Sequence, residues 1–304
     1  MNELSGDVQV PASVPVGRLW PLDGRGETFF RHHTGGEPGA PTLLLLHGWT
    51  ATADLQWCTA YEELARTYPF IAIDHRGHGR GIRSSAPFTL EDAADDAAAL
   101  LVALGAGPVI VVGYSMGGPI ALTLASRHPH LVSALVLQAT AMGFTSGRGD
   151  RVRAAFRPLM ESAFRSRLGA RVARRGLRRA VKANPQLAPW EPWLAGELRR
   201  AEPAAMTEAG RALGAFDGRA MAAAVSVPAG VLLTTKDQLV PPARQRDLAR
   251  SLRAEVVELV GDHYCFWHKG AEFAAATDRL VASVAARIRS VPTESAPPIV
   301  STVS

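Results

Sequence analysis

The stretch Val109-Ile110-Val111-Val112-Gly113-Tyr114-Ser115-Met116-Gly117-Gly118 sets the reading of the whole chain. An apolar, β-branched run ends in Gly-x-Ser-x-Gly and passes directly into Pro119-Ile120-Ala121-Leu122-Thr123-Leu124-Ala125, a helix-forming sequence. The pattern predicts a strand, a tight turn and a helix, with the serine on the turn. A serine so placed takes strained backbone angles, and Gly113 and Gly117 let strand and helix close around it. The turn lifts Oγ of Ser115 out of the fold at the positive end of a helix. Ser115 is therefore the candidate nucleophile.

Outward from this turn, the chain of 304 residues has room for one large α/β domain or two small ones. Cys58 and Cys265 form no CxxC or Cys/His metal spacing, and read as small apolar residues of a reducing compartment. Met1 to Asp7 lack a basic region followed by an apolar one, and no apolar run approaches membrane-spanning length. A cytoplasmic protein with no stable membrane anchor is the expectation. The net charge of +5 is unevenly spread. Between Arg148 and Arg200 lie thirteen arginines and Lys182 against Asp150, Glu161, Glu191 and Glu197, so the basicity belongs to one segment and the remainder is mildly acidic. No nucleic-acid-binding module accompanies the charge, and no nucleic-acid partner is expected.

Val16 to Leu22 and Glu27 to His32, joined through Asp23-Gly24-Arg25-Gly26, predict a β-hairpin. Thr42 to Leu46, Phe70 to Ile73, Leu131 to Gln138, Gly230 to Thr234 and Glu255 to Leu259 are further strands. Helices are expected at Gln56 to Tyr68, Leu90 to Leu104, Pro242 to Leu252 and Ala271 to Ile288. Buried strands alternating with helices imply a mostly parallel sheet whose chemistry sits at the carboxyl ends of its strands. The termini, 1–14 and 289–304, are expected to be flexible.

A serine hydroxyl needs a base, and the base needs an acid to fix its tautomer. Of nine histidines, His263 follows a strand directly through Gly261-Asp262, whereas its rival His268 is expected to open the last helix. The acid belongs between nucleophile and base, at another strand end. Thr234-Thr235-Lys236-Asp237 supplies Asp237; the run after the Leu131 strand, Gln138-Ala139-Thr140-Ala141-Met142, has no carboxylate, and Asp217 is held in reserve. Two backbone N–H groups would bind an oxyanion: Met116, next to the nucleophile, and Trp49 in His47-Gly48-Trp49, with Thr50 as its rival. The Trp49 indole and Tyr114 are expected to line the substrate pocket.

His47-Gly48-Trp49, Asp74-x-Arg76-Gly77-x-Gly79, Gly113-Tyr114-Ser115-Met116-Gly117-Gly118, the Asp237 loop and Gly261-Asp262-His263 follow the order of the α/β-hydrolase fold superfamily, which the chain resembles over roughly 15–288. The resemblance is nearest to Ser-His-Asp esterases, C–C hydrolases and cofactor-free haloperoxidases. It implies an eight-stranded, mostly parallel sheet and a cap after the sixth strand: core 15–141 and 225–288, helical cap 142–224. The chain departs from the pattern at Gly79-Arg80-Gly81, where relatives often carry serine, and at Gly-Asp-His, where many have Gly-His.

Asp74, His75, Arg76 and His78 are not expected as metal ligands, Asp74 and Arg76 being expected in structural hydrogen bonds instead, and no GxGxxG or P-loop calls for a nucleotide, so no cofactor is expected. In the cap, Leu159, Met160, Phe164, Leu177, Leu187, Trp193 and Met206 supply apolar surface among the arginines. The arginines are either a solvated face or a positive rim that attracts an anionic substrate or lipid surface. The chain reads as a serine hydrolase cleaving a carboxylic ester of a small or medium hydrophobic acyl group through an acyl-enzyme. C–C bond hydrolysis, perhydrolysis and ligand reception on a hydrolase scaffold are the alternatives. A serine at 115 argues against dehalogenase and epoxide hydrolase chemistry, which needs a carboxylate there.

Overall fold

The computed structural model describes residues 10–144, 167–200 and 202–289. Eight strands form one sheet: β1 (Gly17–Leu22), β2 (Gly26–His33), β3 (Leu43–Leu46), β4 (Phe70–Ile73), β5 (Val109–Tyr114), β6 (Val132–Gln138), β7 (Ala229–Thr234) and β8 (Glu255–Leu259). Their order is β1-β2-β4-β3-β5-β6-β7-β8. The β1–β2 and β2–β4 pairs are antiparallel and every other pair is parallel, in agreement with the expected architecture.

Alternation along the central strands builds two cores, one on each face. Leu43, Leu45, Ile110 and Val112 face one of them, where α1 (Ala53–Trp57) and α2 (Tyr61–Ala65) pack. Leu44, Leu46, Val109 and Val111 face the other, against α3 (Leu90–Ala103) and α4 (Gly117–Arg127). The expected single helix from Gln56 to Tyr68 is thus two short ones that begin earlier. Thr52 starts the first by accepting the Leu55 N–H on its hydroxyl at 3.1 Å, a cap that contributes about 1 kcal/mol. Thr89 caps α3 in the same way, accepting Asp92 N–H at 2.9 Å.

Between β6 and β7 the chain runs through α5 (Arg167–Ala183), α6 (Glu191–Leu198), α7 (Pro203–Ala215) and α8 (Arg219–Ala224). Leu177, Leu187, Trp193 and Leu194 join the first core, and Ala209, Leu213 and Ala222 the second. Leu159, Met160 and Phe164, expected as apolar cap surface, lie outside the described residues. The fold closes with α9 (Pro242–Leu252), α10 (Cys265–His268) and α11 (Gly270–Arg289). His268 therefore ends a short helix instead of opening the last one.

The ordered core reaches past the expected boundary at residue 15: Val14 is buried in the first core. At the other end the last helix runs through Arg289, and residues 1–9 and 290–304 of the expected flexible termini lie outside the described residues. Cys58 and Cys265 are buried and unpaired, and burial pushes the Cys265 thiol up to about 12. Among the described residues, no helix is long and apolar enough to cross a membrane.

Candidate active site

The turn after β5 is closed by backbone contacts that only glycine permits. A Cβ on Gly113 would lie 2.4 Å from the Gly117 carbonyl oxygen, and one on Gly117 would lie 2.3 Å from that of Leu46. Ser115 itself has φ +51°, the left-handed region that a serine rarely adopts. Three hydrogen bonds hold it there. Its N–H donates to Gln138 O at 2.9 Å, and its carbonyl accepts Gly118 N–H at 2.9 Å and the Thr140 hydroxyl at 2.7 Å. Thr140 stands in the very run that lacks a carboxylate; its role was hidden because the bond crosses from one strand end to the next.

His263 reaches Ser115 from the loop after β8. Its Nε2 is 3.0 Å from Ser115 Oγ, and its Nδ1 is 2.7 Å from Asp237 Oδ2. A carboxylate only accepts, so Nδ1 carries the hydrogen and Nε2 presents its lone pair to the serine hydroxyl. Asp237 is buried in the loop after β7, where Oδ1 accepts the N–H groups of Leu239 at 2.8 Å and Val240 at 2.9 Å. The two loops are stitched together by Lys236 N–H to Gly261 O at 2.9 Å and Thr235 N–H to Leu259 O at 3.0 Å. The added residue Asp262 turns outward and accepts Tyr264 N–H at 2.9 Å. The rivals lie elsewhere: Asp217 is exposed and pairs with Arg219, and His268 is 3.7 Å from Asp262.

Met116 leads into α4 directly after the serine, as the Gly-x-Ser-x-Gly pattern requires. The loop after β3 also reaches the serine, since a Cβ on Gly48 would lie 3.3 Å from Ser115 Cβ. His47 shapes that loop. Its Nε2 accepts His75 N–H at 2.9 Å, so its Nδ1–H donates to Gly48 O at 2.8 Å. The Trp49 indole N–H donates to Met206 O at 2.7 Å and its ring lies against Gly210, which ties the loop to α7.

Tyr114 departs from its expected place in the substrate pocket. Its side chain is 1 % exposed and packs in the first core against Trp57, Phe266 and Phe273. The residue before the serine points back under the sheet edge, and there its hydroxyl donates to His263 O at 3.0 Å. Tyr114 supports the histidine loop from beneath.

The loop after β4 carries structural bonds. Asp74 accepts Ala53 N–H and Arg80 N–H, each at 2.8 Å, and burial beside Asp54 pushes its carboxyl up to about 6. Arg76 forks onto Asp96 at 2.7 and 2.8 Å. Arg80, at the first departure from the family pattern, lays its guanidinium between Asp54 at 2.8 Å and Glu197 of α6 at 2.9 Å, 3.7 Å over the Phe29 ring. Among the described residues no group of three His, Cys, Asp or Glu side chains is placed to hold a metal ion.

The sequence pattern of the family described as alpha/beta hydrolase fold matches residues 41–269. The pimeloyl-[acyl-carrier protein] methyl ester esterase of Neisseria meningitidis serogroup C is 30% identical over 238 residues, covering 77% of this chain and 90% of its own. Lipase LipV of Mycobacterium tuberculosis is 39% identical over 118 residues, 39% of this chain and 43% of its own. Two solved structures share the fold. A hydrolase from Pseudomonas aeruginosa has a TM-score of 0.72 at 21% identity, covering 87% of this chain and 98% of its own. The enol-lactonase from Burkholderia xenovorans has a TM-score of 0.70 at 21% identity, covering 87% and 100%. With the family pattern spanning most of the folded region, this chain belongs to the α/β-hydrolase fold family and is a hydrolase.

Proposed function

We propose that the chain is a serine hydrolase that cleaves a carboxylic ester of a small or medium hydrophobic acyl group through an acyl-enzyme. The observation that carries this reading is the hydrogen-bonded line from Ser115 Oγ to His263 Nε2 at 3.0 Å and from His263 Nδ1 to Asp237 at 2.7 Å. Ser115 Oγ attacks the ester carbonyl while His263 Nε2 takes its proton. The oxyanion is received by the N–H groups of Met116 and Trp49. His263 then protonates the leaving alcohol, and water enters by the same steps in reverse. Asp237 stabilises the imidazolium formed on the way. The relative named as a methyl ester esterase supports the ester class.

The helical segment 142–224 is read as a cap over the core formed by 15–141 and 225–288. The Trp49 indole, bonded to Met206 of that segment, would then border the acyl pocket from below. Arg174, Arg175 and Arg179 are exposed on α5, and a substrate bearing negative charge would be drawn toward them.

The test combines rates on p-nitrophenyl esters of increasing chain length with a fluorophosphonate label mapped to its residue. The label is expected on Ser115, and Ser115→Ala is expected to lower kcat by on the order of 10⁴- to 10⁶-fold with the fold intact. A label on any other residue, or full turnover by Ser115→Ala, overturns the mechanism.

A further inference from the structure

Asp237 has five hydrogen-bonding contacts, of which one, from Gln245 Nε2 to Oδ2, is long at 3.5 Å and another depends on which way a hydroxyl points. Oδ1 takes the Leu239 and Val240 N–H groups and Oδ2 takes His263 Nδ1–H. Thr234 Oγ1 stands 2.9 Å from Oδ2, and a hydroxyl has a single hydrogen to give. Gln245 of α9, fully buried, decides its direction. The Gln245 carbonyl Oε1 accepts Thr234 N–H at 3.0 Å, and a backbone N–H can only donate, so the orientation of the amide is fixed. Its Nε2 therefore faces Val240 O at 2.7 Å and Thr234 Oγ1 at 2.9 Å, and these two nearer acceptors take its two hydrogens, with Asp237 Oδ2 more distant at 3.5 Å. Having accepted from Gln245, the Thr234 hydroxyl has Asp237 Oδ2 before it for its own hydrogen.

We propose that Thr234 and Gln245 are positioning residues of the reaction, acting through Asp237. Gln245 sets the direction of the Thr234 hydroxyl, and Thr234 is the donor that keeps Oδ2 aimed at His263 Nδ1. With its four close contacts all made by oriented donors, the carboxylate has one rotamer, and His263 has one tautomer. The inference rests on the Ser115-His263-Asp237 reading above.

The discriminating variants are Thr234→Val, which keeps shape and backbone bonds but removes the hydroxyl, and Thr234→Ser, which restores it. Gln245→Met keeps the hydroxyl and releases its direction. Each is assayed with p-nitrophenyl butyrate, by fluorophosphonate labelling, by thermal melting and by the far-downfield proton resonance of His263 Nδ1–H. Thr234→Val is expected to lower kcat by about ten- to a hundredfold, the scale of a slightly misplaced catalytic group, with KM nearly unchanged. The resonance should move or broaden, Thr234→Ser should recover most of kcat, and Gln245→Met should fall between. A purely structural role would lower the melting temperature while leaving kcat and the resonance of the folded protein unmoved, and that result overturns the proposal. If Thr234→Val fails to fold, Gln245→Met decides: wild-type kcat with an unmoved resonance overturns the proposal equally. Wild-type protein that is not labelled on Ser115 would instead defeat the underlying triad reading.

Discussion

Three buried histidines in the loops after β3 and β4 make stability depend on acid. His47, His75 and His78 are each at most 1 % exposed, and the His47 ring lies 4.2 Å from that of His75 and 5.4 Å from that of His78, centre to centre. Burial, reinforced by neighbouring histidines for His47 and His75 and by Arg83 for His78, holds His47 well below the ordinary histidine range, His75 down to about 3 and His78 down to about 4. The unfolded chain protonates these groups near pH 6.5 and the folded chain does not, so stability is full above that pH and falls as the solution is acidified. Between pH 7 and pH 5 His75 and His78 each remove about 2 kcal/mol, and His47 acts in the same direction. Asp74 works the other way: its carboxyl, raised to about 6, takes a proton in the folded state first and returns about 1 kcal/mol over the same interval. Glu197 and Asp278, raised by burial, lean with Asp74. Asp95 and Asp217, lowered to about 2, titrate below this window.

His75, His78 and Asp74 alone give an expected net loss of about 3 kcal/mol on going from pH 7 to pH 5, a large part of an ordinary domain's stability, and His47 deepens it. Urea denaturation at both pH values and constant ionic strength measures it as a fall in the midpoint. His75→Leu isolates one contribution, because neither ring nitrogen of His75 has a hydrogen-bond partner among the described residues. At pH 7 this variant should be close to wild type, and its loss at pH 5 should be smaller by about 2 kcal/mol. A wild-type midpoint that stays level between the two pH values refutes the reasoning, as does a His75→Leu variant with the full acid loss.

Three further substitutions probe the turn and the buried ion network. Ser115→Gly and Ser115→Ala should both be inactive toward p-nitrophenyl esters, but the glycine variant should be the more stable by about 1 kcal/mol, since it alone relieves a φ of +51°; equal melting temperatures would contradict the strain. Gly117→Ala drives a Cβ to 2.3 Å from the Leu46 carbonyl oxygen and should lower stability by about 3 kcal/mol in urea titration. Arg80→Met leaves Asp54 and Glu197 each with one fewer cation in a buried setting and should cost about 3 kcal/mol, a loss that a Glu197→Gln change in the same chain should partly restore.

Strand ends were legible because their signals are local. A buried apolar run followed by glycine marks its own terminus, and His47, Asp74, Ser115, Asp237 and His263 each stand within a few residues of one. Contacts that cross the fold were not. Arg80 breaks a familiar pattern, but Asp54 and Glu197 lie 26 and 117 residues away in sequence. Thr234 and Gln245 are ordinary residues of a strand end and a helix until the loop brings them to Asp237. The early start of the helix at Ala53 was readable in the Thr52 cap and was missed because Asp54, normally a solvent-facing helix residue, is buried here against Arg31 at 2.6 Å.

Sheet order poses a reach problem that Tyr114 helps to solve. Ser115 leaves β5, Asp237 follows β7 and His263 follows β8, so β6 and β7 lie between the serine and the histidine. Neighbouring strands are about 4.8 Å apart, which puts the end of β8 about 14 Å from that of β5. An imidazole covers only part of that distance, and the histidine loop must lean inward over β7. Two backbone bonds fasten it to the Asp237 loop, through Lys236 to Gly261 and Thr235 to Leu259. Neither draws it as far as the serine. The Tyr114 hydroxyl does, by donating to the carbonyl of His263 itself from the residue that precedes Ser115. One strand end thus supplies both the serine and the hydrogen bond that brings His263 to it, so a shift of β5 moves both together and the 3.0 Å contact between them is preserved. The burial that removes Tyr114 from the substrate pocket is what makes it a rigid hook, since its ring is wedged among Trp57, Phe266 and Phe273 and cannot turn away.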